Sequence, residues 1–163
     1  MTRSTPLLRP ATTDDEAFLL GRMGRLAAFP VPEWRTTEEI ASADNLILIA
    51  ALREPKPSNL VLIAEDPAGT PVGGLLVSTA TDYFTGRQHA HIEVVAVSVD
   101  AAGRGLGRAM IDAAEDWAVE RGYGQITLNV FARNEKARAI YEHLGYRAET
   151  VRYWKRLDGN RAK

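Results

Sequence analysis

The chain has 163 residues, 45% of them hydrophobic and 25% charged, with a formal net charge of -1. That length fits one domain spanning 1–163 with its own core, and so small a charge sets up no bulk field to draw in nucleic acid or an anionic membrane. Cysteine is absent, which removes disulfide frameworks, thiolate zinc sites and a cysteine nucleophile together, and suits a reducing, cytoplasmic setting.

Met1 to Pro10 carries no apolar run of the secretory kind. The longest apolar stretch, Leu46 to Leu52, is far short of the roughly 20 residues that cross a bilayer. A short strand is predicted near Pro6 to Ala11, followed by a helix capped at Thr12 or Thr13, with Asp14, Asp15 and Glu16 at its positive end. Phe18, Leu19, Met23, Leu26 and Ala27 give that helix one apolar face, and Phe29-Pro30-Val31-Pro32 stops it. A second helix starts at Thr36 or Thr37, again with acids in its first turn, and runs to Arg53 ahead of Pro55 and Pro57.

The middle reads as β-structure. Leu60 to Glu65 and Val72 to Thr79 form a hairpin about the turn Asp66-Pro67-Ala68-Gly69, and Asp82 to Gln88 is a polar loop. His91 to Val99 is a β-branched strand, of the kind covered on both faces. A tight turn over Gly103 to Gly107 leads into a helix that reaches Arg121 and ends at Gly122, a strand covers Ile126 to Phe131, a short helix covers Asn134 to Leu144, and Ala148 to Leu157 is a last strand. This order predicts a mixed α/β sheet with helices on both faces.

The most informative segment joins the central strand to a helix: Ala102-Gly103-Arg104-Gly105-Leu106-Gly107-Arg108-Ala109. Glycines at alternate positions let consecutive N–H groups converge, the helix start adds unpaired N–H groups, and Arg104 and Arg108 add charge. Such a turn suits a pyrophosphate, although a glycine-rich connection with two solvated arginines has the same composition. No Gly-Lys-Ser/Thr follows, so it is not a P-loop. A dinucleotide fingerprint needs a glycine at 108 or 110, where Arg108 and Met110 stand.

The run Val95 to Met110 resembles the coenzyme A motif of the GNAT superfamily of N-acetyltransferases, and Leu128 to Tyr146 resembles the motif that follows it in that family. One position departs: the family usually has Arg or Gln where Ala102 stands. The resemblance implies a mostly antiparallel mixed sheet of six or seven strands, and acetyl-CoA as co-substrate with no metal. Val97 and Val99 would offer backbone groups to the pantetheine arm. Gly103, Arg104, Gly105, Leu106, Gly107, Arg108 and Ala109 would hold the pyrophosphate, and Asn134 would touch coenzyme A or simply cap its helix. Arg133, Lys136 and Arg138 read as a solvated face or as partners of the 3′-phosphate.

Catalytic roles follow from the same resemblance. Tyr141, on a helix face with Ala137, Ile140 and Leu144, is either core or the acid that protonates the departing thiolate. Glu93 is an acid in an apolar strand, costly to bury unpaired. It is either the general base for the acceptor amine or a structural acid paired with His89, His91 or an arginine. His89 and His91 alone do not complete a zinc site. The acceptor is a small-molecule amine or a peptide, shaped by Phe29 to Trp34 and by Tyr83 to Gly86. A homodimer is expected, with the C-terminal strand as a pairing edge. Two other readings remain: an acyl-CoA sensor without turnover, and transfer of a longer acyl group.

Overall fold

A computed structural model describes residues 7–26 and 29–157. Its elements are β1 (Leu7–Pro10), a 3-10 turn (Thr13–Asp15), α1 (Glu16–Leu26), α2 (Thr37–Arg53), β2 (Asn59–Glu65), β3 (Pro71–Thr81) and β4 (Gln88–Val97). A second 3-10 turn (Val99–Ala101), α3 (Leu106–Glu120), β5 (Ile126–Leu128) and α4 (Glu135–His143) complete it. One five-stranded sheet runs in the order β1-β2-β3-β4-β5. Its strands are antiparallel except for the parallel pair β4 and β5.

Strand alternation sorts the core into two layers. Leu62, Ala64, Leu75, Val77, Ala90 and Ile92 face α3, where they meet Met110, Ile111, Ala114 and Trp117. Val61, Ile63, Leu76, Val94 and Ala96 face the other way, onto Leu19 of α1 and Leu48, Ala51 and Leu52 of α2. Helix α2 starts at a capping box: the Glu39 N–H donates to the Thr36 hydroxyl at 3.1 Å and the Thr36 N–H to the Glu39 carboxylate at 2.9 Å.

Ile92 and Val94 lie in opposite layers although they are two apart, which straight alternation forbids. The cause is a β-bulge. Leu76 pairs with Val94 and Val77 with Ile92, so Glu93 is the extra residue. The pairing of β4 with β5 ends at Ile92↔Leu128, beside the same bulge.

Several expectations are corrected. The sheet has five strands, not six or seven. Ala148 to Leu157 is exposed chain with no strand, and β5 ends at Leu128. The dimer edge assigned to that strand is therefore not there. Val99 lies in the second 3-10 turn rather than at a strand end, and its side chain is exposed. Phe131 lies beyond β5. Pro6 and Ala27 fall outside the described residues, as do the side chains of Met23 and Leu26. No described helix is long and apolar enough to cross a membrane.

Candidate active site

The glycine turn has the backbone its composition called for. Gly103 and Gly105 take φ of 78° and 82°, the left-handed region that costs other residues a Cβ clash. Gly105 is the N-cap of α3, no side chain caps that end, and no acid occupies its first turn. Its free N–H groups and positive dipole end are thus open to an anion. A Cβ built on Gly107 meets only the Val97 side chain, at 3.9 Å, so the turn is a cradle rather than a packed corner. Arg104 is exposed and makes no ion pair among the described residues, whereas Arg108 bonds Asp112 at 2.7 Å one turn on. Leu106 is buried, leaving only its backbone to a ligand, and Ala109 donates its N–H to the Gly105 carbonyl at 3.0 Å.

Val97 supplies a second free group. The Ser98 N–H donates to the Val72 carbonyl at 2.7 Å, towards β3. N–H directions alternate along a strand, so the Val97 N–H points to the opposite edge. That is the edge β5 has left.

Glu93 sits at the bulge and is not buried; its side chain is 32% exposed. It shares with Ser78 the wall of a cavity of about 210 Å³ between α2 and the sheet. The Ser78 hydroxyl donates to its Oε1 at 2.5 Å, and the His91 Nε2 lies 3.9 Å from its Oε2. Burial, and secondarily the charge of Glu93, hold the carboxyl of Asp44 on α2 above the usual carboxylate range. Two acids thus meet on the α2 side of the sheet. Among the described residues, no set of three His, Cys, Asp or Glu side chains is placed to hold a metal ion.

Tyr141 on α4 is half-buried against the α3 layer, beside Tyr146 at 5.9 Å between ring centroids. It lines an open cavity of about 1000 Å³ that wraps the free edge of β5. Its hydroxyl makes no hydrogen bond among the described residues, and burial raises its pKa, so it is a phenol at neutral pH. Ile140, expected on the same face, is exposed instead. Asn134 caps α4 by accepting from the Ala137 N–H at 3.2 Å, while Arg138 donates to the Ala132 carbonyl.

The two expected acceptor segments part company. Tyr83 and Phe84 line the large cavity. The 29–34 loop does not; it is held by Phe29 against Phe131 and by Trp34 stacked on Trp154 at 4.6 Å. Residues that sequence reasoning missed are Asp44, Ser78 and Thr127. Asp44 left a signal, an acid between Ile40 and Leu48 at helical spacing, while Ser78 and Thr127 depend on strand register and left none.

Residues 24–146 match the family described as acetyltransferase (GNAT). Over 90 residues, 55% of this chain, the sequence is 39% identical to mycothiol acetyltransferase of Beutenbergia cavernae, covering 29% of that protein. Over 67 residues, 40% of this chain, it is 39% identical to the ribosomal protein bS18-alanine N-acetyltransferase of Escherichia coli, covering 45% of it. The matches thus span less than half the length of either relative. Among solved structures, a ribosomal-protein-alanine N-acetyltransferase from Brucella melitensis shares the fold with a TM-score of 0.67 and 21% identity, over 94% of this chain and 100% of that one.

Proposed function

The chain belongs to the acetyltransferase (GNAT) family, and from that premise we propose that it moves an acetyl group from acetyl-CoA to a primary amine by direct attack in a ternary complex. The observation that carries this reading is the uncapped start of α3 behind two left-handed glycines. Its N–H groups receive the pyrophosphate, with Arg104 free to add charge. The unpaired edge of β4 receives the pantetheine arm as an added strand.

Attack needs a neutral amine. Glu93 takes the amine proton, directly or through water, and the Val97 N–H polarises the thioester carbonyl. Tyr141 gives its proton to the departing thiolate. Glu93 and Glu54 line the cavity beside α2 with Lys56 as its one cation among the described residues, a balance that favours an acceptor arriving as an ammonium ion. Mycothiol acetyltransferase and ribosomal-protein-alanine N-acetyltransferase differ too much in their named acceptors to select one here.

The test is calorimetry of acetyl-CoA with Gly107→Val. A Cβ at 107 meets only the Val97 side chain, at 3.9 Å, and valine inside a helix costs under about 1 kcal/mol, so the fold is expected to survive while the phosphate approach is blocked. A loss of about 10²-fold in affinity, roughly 2.7 kcal/mol, is expected. Unaltered binding by the folded variant overturns the assignment. Thiol release across alkylamines, diamines, aminosugars and short peptides then identifies the acceptor, and separates an enzyme from a sensor.

A further inference from the structure

The chemistry proposed above leaves two histidines and a threonine unused, yet they are wired to Glu93. The Thr127 hydroxyl lies 2.7 Å from the His91 Nδ1 and 3.1 Å from the His89 Nε2. The Asn129 Nδ2 lies 3.4 Å from the His91 Nε2. A hydroxyl has one proton, so it satisfies two ring nitrogens only by donating to one and accepting from the other. The Asn129 amide donates to the His91 Nε2, which makes that nitrogen bare and puts the His91 proton on Nδ1. His91 then donates to Thr127, and Thr127 donates to the His89 Nε2.

This order of donation gives His91 a bare Nε2 on the side of Glu93. It also ends at the His89 Nδ1, which is buried and has no partner, so no proton leaves that way. Burial first, and the charge of His89 next, lower the His91 pKa, with Glu93 opposing. The ring is therefore neutral at neutral pH, and its Nε2 accepts only the long 3.4 Å contact from Asn129. Glu93 and His89 are the charged or titratable groups facing it from its own strand. Strands β3 and β5 present none, and Asp44 of α2 bears on Glu93. The large cavity that His91 shares is also lined by Asp82, Glu115, Arg138, Glu142, Arg147, Glu149 and Arg152 and by the phenols of Tyr83, Tyr141 and Tyr146.

We propose that His91 takes over the acceptor's proton from Glu93, with Thr127 and His89 as the positioning residues that fix its ring and tautomer. This rests on the reading of Glu93 as the base. An N–H bond of the acceptor ammonium breaks and an O–H bond forms on Glu93. That O–H bond then breaks as an N–H bond forms at the His91 Nε2, after the Asn129 amide gives up its 3.4 Å contact there and rotation of the carboxylate closes the 3.9 Å gap. The products are a carboxylate and an imidazolium held as an ion pair. His91 releases the proton to water in the large cavity, whose wall it shares. Glu93 is thereby reset for the next acceptor, with the proton released on the side of the sheet away from the α2 cavity.

The experiment measures kcat/KM against pH for His91→Ala, Thr127→Val, Thr127→Ser and Glu93→Gln. It uses acetyl-CoA and the panel amine with the fastest thiol release, with acetyl-CoA affinity and thermal melts alongside. His91→Ala should lose about 10²-fold, lose the acid-side inflection of the profile, keep its acetyl-CoA affinity, and recover with added imidazole. Thr127→Val should lose less, and Thr127→Ser should match the parent. His91→Gln gives a second reading if the alanine variant does not fold. Thiol release with no panel amine, or Glu93→Gln as active as the parent, removes the base and the relay with it. An impaired Glu93→Gln beside a His91→Ala with the parent profile, or with a loss that imidazole does not relieve, overturns the relay alone.

Discussion

The two edges of the sheet are finished in opposite ways. At β1 the edge is closed with charge: Arg9 donates to Glu65 at 2.6 Å and grips both oxygens of Asp15 at 2.8 Å. Asp15 also accepts from the Thr12 N–H at 2.8 Å, so the turn into α1 is tied to the same knot. At β5 the edge is three residues long, and a cavity of about 1000 Å³ lies beyond it whose wall includes the Tyr141 phenol and the imidazoles of His89 and His91. Bidentate ion pairs lock a strand end against foreign pairing. A phenol that burial keeps protonated and the His91 imidazole that burial keeps neutral, both beside open space, serve proton traffic instead. One edge is built to be stable and the other to be used.

The sharpest test of that division is Tyr141→Phe. The ring and its packing stay while the donor goes, so turnover should fall about 10²–10⁴-fold, with acetyl-CoA affinity and melting temperature near the parent's. Full activity removes Tyr141 from the mechanism. The converse change is Asp15→Ala, which leaves Arg9 with half its partners. It should cost about 1–3 kcal/mol in denaturant unfolding while kcat/KM per folded molecule holds. A fall in kcat/KM of the same order would show that the closed edge also serves the site.

A third expectation concerns acid. Hydrogen bonding from Arg9 holds the Asp15 pKa below its usual value against the opposing effect of burial. Its stabilisation is complete above the unfolded value of about 3.9 and is lost as pH falls through the lower folded value. The acid limb of stability should therefore be shallower in Asp15→Ala, as read by melts between about pH 5 and pH 2. The smallest effect is expected at Trp34→Leu, since the stack on Trp154 is half-exposed. An aromatic pair adds about 0.5–1.5 kcal/mol, and denaturant curves should show the low end of that.

What was legible in the sequence was local. The start of α2 at Thr36, the glycine turn and the cap at Asn134 are each decided by neighbours within one helical turn, and each lies where its residues indicated. Pairing was not legible in the same way. Val151 and Tyr153 alternate as a strand does, yet a strand needs a partner, and the ladder stops at Leu128. Glu93 stood out as an acid among apolar neighbours, but nothing in its flanks announces a bulge. Thr127 meets both histidines only because His91 pairs with it across the register of β4 and β5.

The bulge at Glu93 behaves like a dislocation in a crystal row. Downstream of it the row that meets α3 is Val95 and Val97; upstream it is Ala90 and Ile92, one lattice step out of phase. Deleting residue 93 would heal the row without turning either half over: Leu76↔Val94 and Val77↔Ile92 would become successive rungs, and Ala90 and Ile92 would keep their places against α3. The extra lattice point exists only to carry the carboxylate, so the strand could lose the defect and keep its core.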